Sequence, residues 1–512
     1  MNKFYLLVKI NNEQSPLAKK LRQKFRIAGN HHFECSIGES FYLCYNDLFE
    51  LDGEYTAYAR IERGTGRFEF KSDCWNVLAH YMYKKNGVLL ISNDPLLLAG
   101  LVGAGISKAA LWDSLIFGRP YKSGSFFEDI EKIPPFVHGW VDLETEDLAT
   151  HLSWYPKWDN MFAVNPVDDL HDRMKKDFLK ARAAIGDQDV ALQFSGGSDS
   201  VTIFNLLRHY GIKVRCESYS TTPPTNKRIG LFYKKFGAQG VIREVEEDAN
   251  LDLSVLLSGG LSPTPRFATF YSQIAPTILF DGFCIFKGDF SDAFLHPAFK
   301  SLLLMNTRKG IKDQYPEMDE ELLDELWNHW NEHYENDYCD INTGEGLKRF
   351  QDYAMEYTNP NIHGALQHTA LQLGHRPQSY LLGIPFMSYC HSIGFGLFSS
   401  LSIRKDFPGY RQCTSLLAGV NRNLGGDIFR HPLDKHMSFR GILEWRLSDR
   451  IYYQSHMLSG KISKRLFRKI QIQNEQSYSL SFLRDFGLAS TKSRRLAALD
   501  ASLGAIARLT RS

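Results

Sequence analysis

Cysteine pairs at the spacing of a metal knuckle or a redox motif are missing from this sequence. Its eight cysteines are scattered, and no two of them are separated by two residues. A zinc knuckle and a dithiol redox site therefore have no support. Dispersed thiols in a chain of this length are typical of a reduced, intracellular protein rather than a disulfide framework. The eight are Cys35, Cys44, Cys74, Cys216, Cys284, Cys339, Cys390 and Cys413.

A charge excess, a signal-peptide core and a long apolar run are missing as well. The formal net charge is only +2, so no global field favours nucleic acid or a membrane surface. The apolar run Phe4–Val8 is too short for a secretory signal. The stretch Leu97–Phe117 is interrupted by Lys108, Asp113 and three glycines, which predicts buried loop and helix. We expect a cytoplasmic protein with no membrane span and no nucleic-acid partner.

The pattern of apolar and polar residues changes about a third of the way along the chain. The first ~155 residues are predicted to be mostly β, with short apolar runs such as Phe41–Tyr45 and Val88–Ser92. The connector Trp154–Pro166 follows, and an amphipathic helix then begins around Leu170. These changes indicate two domains, residues 1–155 and 166–512.

From Val190 the pattern becomes α/β. Strand-like runs at Val190–Phe194 and Lys213–Tyr219 alternate with helical patterns at Val201–Tyr210 and Lys227–Phe236. This alternation predicts a parallel, doubly wound sheet. Beyond about Leu302 the pattern is mainly helical to the end.

The loop between the first strand and helix of this region has the composition of an anion site. Two glycines permit a tight turn and close approach of a ligand, and the amides at the helix start favour negative charge. The serines add hydroxyl donors, and an aspartate beside phosphate indicates an intervening Mg²⁺. The loop lacks the Gly-Lys-Ser/Thr of a Walker motif, and it is not a dinucleotide fingerprint. The structural alternative is a plain turn with serines at the helix cap. The loop residues are Ser195, Gly196, Gly197, Ser198, Asp199 and Ser200.

The loop resembles that of the pyrophosphate-loop ATPases, which bind ATP and release pyrophosphate. Other segments resemble the synthetase domain of asparagine synthetases, β-lactam synthetases and lasso-peptide cyclases, most closely the last. The segment Gly288–Phe294 is similar to the second motif of that family, and Ile384-Pro385-Phe386 to a later one. Gly426–Phe429 followed by Lys435 resembles the lysine-bearing segment near the C-terminus.

The first domain resembles the glutaminase partner of these synthetases. Leu51–Tyr55 is similar to its L-D-G-x-[FY] motif, and Ile130–Pro135 to the segment just before that domain ends. The resemblance implies an N-terminal αββα domain of the glutaminase type, in a degenerate form, and a C-terminal ATP-pyrophosphatase domain with helical extensions.

The resemblance also implies roles for individual residues in the adenylation of a carboxylate. Gly288 and the loop would bind ATP, and Asp199 and Asp292 match the aspartates that hold Mg²⁺. Lys435 matches the lysine that neutralises charge during adenylation and amide formation. Arg430 is a rival, because the spacing from Ile428 to Lys435 is one residue longer than expected. Asp289 would orient or deprotonate the attacking amine. The structural alternatives are a turn residue for Asp289 and a solvated surface lysine for Lys435.

Glutamine hydrolysis is not expected. The family nucleophile is a cysteine directly after the initiator methionine, and here that residue is Asn2. Cys35 and Cys44 lie inside the domain, where no free amine can assist them. Lys71-Ser72-Asp73 stands where an arginine-rich stretch is expected. The N-terminal domain is therefore interpreted as a relic kept for packing or for holding the acceptor, as in β-lactam synthetases and lasso cyclases.

Recognition of free aspartate is also in question. Leu381-Leu382-Gly383 replaces an acid and an arginine of the asparagine synthetases, and Ala293 removes an acidic group from the second motif.

Two other patterns have simpler explanations. His329 and His333 form an H-x-x-E-H pattern that zinc peptidases use, but it lies on a stripe of Met318, Leu322, Leu326 and Trp330 that predicts an ordinary amphipathic helix. The basic residues from Lys461 to Lys469 and the last helix could dock a precursor peptide, or they form a charged outer face.

Three functions follow from these patterns. The first is an intramolecular amide cyclase of the lasso-peptide or β-lactam kind, acting on a precursor peptide or a carboxylate-bearing small molecule with ATP and Mg²⁺. The second is an amidating ligase that uses ammonia, free or supplied by a partner protein, on aspartate or a sugar carboxylate. The third is a non-catalytic nucleotide-binding scaffold, against which intact Asp199 and Asp292 count.

Overall fold

The structure, a computed structural model, describes part of the chain. That part comprises residues 5–10, 16–17, 19–20, 41–45, 58–62, 67–72, 76, 79–117, 120, 125–135, 137–142, 148–152, 166–185, 190–220, 223–244, 284–287, 308–314, 318–335, 409–431, 438, 440, 478–486, 490–491, 500 and 503–504. Within it the protein is a mixed α/β structure, which confirms the predicted class.

Among the described residues before 155, nine strands occur, in agreement with a region predicted to be mostly β. They are β1 Tyr5–Ile10, β2 Phe41–Tyr45, β3 Tyr58–Glu62, β4 Arg67–Lys71, β5 Tyr81–Lys85, β6 Val88–Ser92, β7 Ile130–Lys132, β8 Val137–Asp142 and β9 Leu148–Leu152. They form two antiparallel sheets, with the orders β2-β1-β6-β5-β7 and β3-β4-β8-β9.

The two antiparallel sheets pack face to face. Strand β4 alternates, so that Phe68 and Phe70 point into the shared core, where they meet Leu89 and Ile91 of β6. Every residue of β6 is buried because its other side chains face a second core, which explains why the strand is an unbroken apolar run. At Gly139 a Cβ would lie 2.1 Å from the ring of Phe70, so only glycine permits this packing.

Two helices cover the second face of the five-stranded sheet, α1 Pro95–Val102 and α2 Lys108–Phe117. Helix α1 begins where Asp94 accepts hydrogen bonds from the amides of Leu96 and Leu97, and it ends at Gly103, which has φ of +71°. The stretch Leu97–Phe117 is thus loop and helix, as predicted. In the described part of the chain, no helix combines the length and apolarity needed to span a membrane.

The second set of elements alternates as predicted between helices and parallel strands. They are α3 Pro166–Ile185, β10 Val190–Gln193, α4 Ser198–His209, β11 Val214–Ser220, α5 Pro223–Phe236, β12 Gln239–Glu244 and β13 Cys284–Lys287. The four strands form a parallel sheet of order β12-β11-β10-β13. Leu170, Met174 and Phe178 of α3 are buried, and Phe178 stacks on Phe286 of β13.

The remaining elements are mainly helical, and they include α6 Arg308–Gln314, α7 Glu320–Tyr334 and α8 Gly409–Leu424. Two short strands, β14 Tyr478–Ser479 and β15 Ser490–Thr491, form a separate pair. The predicted stripe of α7 is buried in the same core as α1 and α2. A helix from the C-terminal part of the chain therefore completes the core of the N-terminal part.

A buried polar contact accompanies this packing. Asp113 of α2 accepts a hydrogen bond from the hydroxyl of Tyr334 at 2.5 Å, and its carboxylate lies 2.9 Å from Nε2 of His329. His329 is 8% exposed and Asp113 2%. The first histidine of the H-x-x-E-H pattern thus has a structural partner across the two parts of the chain. Whether the chain divides into domains at residues 155 and 166 stays a prediction.

We expect Asp113→Ala to lower the free energy of unfolding by about 2–4 kcal/mol, because a buried imidazole and a buried phenol both lose the carboxylate. Urea denaturation of the whole chain measures the change. The control is Lys108→Met, which removes a 2.8 Å ion pair between α2 and Glu325 of α7 that is half exposed. Its loss should cost less than about 1 kcal/mol. Equal effects of the two substitutions would contradict the role assigned to the buried contact.

Candidate phosphate-binding site

The loop is held at its base by a strand paired on both sides. Gln193, the last residue of β10, is in register with Glu217 of β11 and with Lys287 of β13. The amide of Phe194 donates to the carbonyl of Glu217 at 2.8 Å, which extends the pairing by one residue. The ring of Phe194 is buried, with its centroid 4.7 Å from that of Phe232. The loop therefore starts from a fixed position at the carboxyl edge of the sheet.

The two glycines make the turn that the sequence predicts. Gly196 has φ of +75°, a conformation that costs a side-chain-bearing residue energy. Gly197 is the cap residue of α4, in extended conformation, and no side chain caps the helix. Ile229 of α5 lies beside the turn, since a Cβ on Gly196 would be 3.7 Å from its Cγ1. The helix begins at Ser198, three residues earlier than predicted, so that Ser198, Asp199 and Ser200 form its first turn.

This first turn presents amides to solvent. The first hydrogen bond of the helix runs from the amide of Val201 to the carbonyl of Gly197, at 3.0 Å. The amides of Ser198, Asp199 and Ser200 precede it and have no acceptor within the helix. Ser195 is exposed, and the residues from Gly196 to Asp199 are partly exposed. The strand, turn and helix start together form a site at which a phosphate group can bind.

The two terminal serines of the loop stabilise its shape. Ser200 is buried, and its hydroxyl donates to the carbonyl of Gly197 at 3.2 Å and accepts from the amide of Ser195 at 3.3 Å. The hydroxyl of Ser195 lies 3.2 Å from that of Ser200 and accepts from the amide of Gly197. The Ser200 hydroxyl thus bonds to the backbone of the loop itself, and the binding of ATP by Ser200 stays a prediction.

Asp199 lies where a carboxylate is compatible with the helix dipole. It is in the first turn of α4, partly exposed, and accepts a hydrogen bond from the hydroxyl of Ser198 at 3.4 Å. A carboxylate next to the amides of a helix start suits a hard cation that also binds phosphate. Among the described residues no group of three metal-ligating side chains occurs.

The other predicted site residues, Gly288, Asp289, Asp292 and Lys435, lie outside the described residues. The residue before Gly288 is Lys287, which ends β13 in register with Gln193. The chain therefore enters the second motif from the sheet edge that carries the phosphate loop.

The segment that precedes Lys435 contacts helix α5. Gly425 and Gly426 both have positive φ, and Asp427–Arg430 forms a short 3-10 helix with Ile428 buried. The ring of His431 packs edge-on against Phe232 and Phe236, at 5.3 and 5.1 Å between centroids. Arg430, the rival of Lys435, is exposed.

The sequence did not predict three contacts of the loop. They are the hydrogen bonds of the Ser200 hydroxyl, the position of Ile229 beside Gly196, and a hydrogen bond of Thr202. The hydroxyl of Thr202 donates to the carbonyl of Ser198 at 2.7 Å. The signal that could have predicted this bond is the spacing, since Thr202 follows Ser198 by four residues, one turn of a helix.

A comparison of the sequence with protein-family models gives no match, and neither does a comparison with curated proteins.

We expect Gly196→Ala to weaken binding of Mg·ATP, because strain at positive φ changes the direction of the loop amides. The matched control is Gly211→Ala, at the far end of α4, where φ is +70° and no atom lies within 4 Å of the added Cβ. Both substitutions should cost about 1–2 kcal/mol of stability. Only Gly196→Ala should change the affinity for Mg·ATP measured by calorimetry. Equal affinities of the two variants would contradict the assignment of the loop as the binding site.

The pKa of His431 is lowered, mainly by burial and further by Lys235. Below about pH 6.5 the unfolded chain takes up a proton that the folded state resists, so stability falls as the pH falls. His431→Gln should flatten the dependence of the melting temperature on pH between about 7 and 5. His171, whose pKa is also lowered by burial, should account for part of the remaining slope. A slope unchanged in His431→Gln would contradict this assignment.

Proposed function

We propose that the protein is an ATP-dependent, AMP-forming ligase that joins a carboxylate to an amine. The observation that carries the proposal is the loop Ser195–Ser200, where the first-turn amides of α4 and a carboxylate lie at the carboxyl edge of a parallel sheet. The position of β13 beside β10 supports it, because the second predicted motif follows that strand directly.

In this proposal the loop binds the β- and γ-phosphates of ATP. A substrate carboxylate attacks the α-phosphorus, the bond to pyrophosphate breaks, and an acyl-adenylate forms. An amine then attacks the acyl carbon and AMP leaves. The amides of the first turn of α4 stabilise the charge that develops on the leaving pyrophosphate. Bound Mg²⁺ would supply further neutralisation, held by Asp199 and Asp292.

Two residues outside the phosphate loop have proposed roles in the second half of the reaction. Lys435 would neutralise charge on the phosphate oxygens as the amide forms. Asp289 would orient the amine or take its proton, since a carboxylate is a suitable base at that step.

The fold supports the family resemblance in its coarse features. We propose that residues 166–512 form a pyrophosphate-loop domain and residues 1–155 a glutaminase-like αββα domain. The parallel sheet of order β12-β11-β10-β13 supports the first, and two antiparallel sheets packed face to face under α1 and α2 support the second.

The amine would come from the substrate itself. Lys71-Ser72-Asp73 replaces the arginine-rich stretch of the glutamine-dependent synthetases, so glutamine is not the proposed donor. This favours an intramolecular cyclase of the lasso-peptide or β-lactam type. The substrate would be a precursor peptide or a small molecule that carries both a carboxylate and an amine.

The test combines binding of Mg·ATP with release of pyrophosphate in the presence of carboxylate substrates. Asp199→Asn should reduce pyrophosphate release by about 100-fold or more, because a metal ligand is lost at the step where charge develops. Asp313→Asn, an exposed aspartate on α6, is the control and should keep full activity. Equal ATP binding by wild type and Asp199→Asn, with no pyrophosphate from either, would refute the ligase.

The choice of substrate in this assay distinguishes a cyclase from an amidating ligase. A linear peptide that releases pyrophosphate without added amine supports the cyclase, whereas aspartate or a sugar acid that requires ammonia supports amidation. Glutamate formed from glutamine would contradict the assignment of the N-terminal domain.

A further inference from the structure

A chain of buried hydrogen bonds connects the C-terminal helix α8 to the phosphate loop. The side-chain amide of Asn205 donates to Oδ1 of Asn421 at 3.0 Å, and Nδ2 of Asn421 donates to the hydroxyl of Thr202 at 2.7 Å. The hydroxyl of Thr202 donates in turn to the carbonyl of Ser198. Asn421 also donates to the carbonyl of Leu417 at 2.8 Å within its own helix.

All three side chains of this relay are protected from water. Asn421 is 0% exposed, Thr202 1% and Asn205 6%. Such groups are costly to bury unless they are paired, and the structure pairs Asn421 through both its oxygen and its nitrogen. Sequence alone gives no hint of the contact, since Asn205 and Asn421 are 216 residues apart.

Close packing of the helices brings Asn421 to this position. A Cβ on Gly419 would lie 2.6 Å from Val167, so glycine at this position permits α8 to approach the start of α3. A second contact between the same helices, from Asn423 to Asp168 at 2.6 Å, is exposed to water. The contacts of Asn421 with Asn205 and Thr202 of α4 are, by contrast, buried.

The last hydrogen bond of this chain, from Thr202, is accepted by the peptide group between Ser198 and Asp199, which lies in the phosphate loop. The carbonyl of Ser198 and the amide of Asp199 belong to one planar, trans peptide, in which the two bonds point in opposite directions. A hydrogen bond that holds the carbonyl of Ser198 towards Thr202 therefore makes the N–H of Asp199 point away from Thr202. That amide belongs to the first turn of α4, before the first hydrogen bond of the helix, which runs from Val201 to Gly197.

We infer that Asn421 and Thr202 are positioning residues for the phosphates of ATP. Asn421 fixes the Thr202 hydroxyl, and Thr202 fixes the orientation of the Ser198–Asp199 peptide. Helix α8, far from the loop in sequence, thereby determines how well the loop binds phosphate. The inference rests on the proposed ATP-dependent function.

The test measures the Kd of Mg·ATP for the full chain, well below the melting temperature. Thr202→Val removes the hydroxyl and keeps the shape, and it should weaken binding by about tenfold, the loss expected from one buried hydrogen bond. Thr202→Ser keeps the hydroxyl and should restore the Kd to within about twofold of wild type. Ser72→Ala, which removes a buried hydroxyl bonded to the carbonyls of Pro134 and Val137, is the matched control and should leave the Kd unchanged.

A second variant keeps the core filled if single asparagine changes unfold the protein. Replacing Asn205 and Asn421 together by leucine removes both partners at once, which is close to neutral for folding. It should weaken Mg·ATP binding, and adding Thr202→Val should then weaken it by less than in the wild-type background. Additive effects would mean that Asn421 does not act through Thr202.

The outcomes separate the inference from the function on which it rests. If wild type binds Mg·ATP and Thr202→Val lowers only the melting temperature, the relay is merely structural and the inference is wrong. If wild type neither binds Mg·ATP nor releases pyrophosphate, the proposed function fails and the inference fails with it.

Discussion

The parallel pairing of strand Val190–Gln193 on both sides is the constraint on which the candidate site depends. Hydrogen bonds to β11 and β13 fix where the strand ends, and the buried ring of Phe194 prevents the chain from sliding at that point. A loop that binds phosphate through backbone amides has few adjustable side chains, so its precision must come from the elements at its two ends. Here the strand fixes the first end, and α4 fixes the second.

Polar groups inside the protein link segments that are distant in sequence. Asp113 and His329 connect the antiparallel region to helix α7, while Asn205 and Asn421 connect the loop helix to α8. Unpaired polar groups in these positions would cost more than the pairs gain, which makes such contacts specific for one arrangement. The C-terminal helices are thereby tied to both the antiparallel and the parallel sheet regions.

The proposed chemistry divides the work between backbone and side chains. Amides and the helix dipole need no titratable side chain, so the proposed contribution of the loop backbone does not depend on a side-chain pKa. The residues proposed for these roles come from segments that are far apart in the chain. Asp199 and Asp292 are proposed to bind the metal, and Asp289 and Lys435 to act in amide formation. Of these segments, the structure describes the loop with Asp199 and strand β13, which ends directly before Gly288 at the same sheet edge.

The sequence by itself determined the local features of this protein. Alternating and continuous apolar runs predicted the strands, a four-residue repeat predicted α3, and the glycine pair predicted the turn at Gly196, because these depend on neighbouring residues only. It did not determine the start of α4, since the cap at Gly197 contributes no side chain. Only the tertiary structure decided that Ser200 braces the loop, that His329 pairs with Asp113, and that Asn421 reaches Thr202. These contacts join residues through the packing of helices and sheets, and no local pattern in a single sequence encodes which distant side chains will meet.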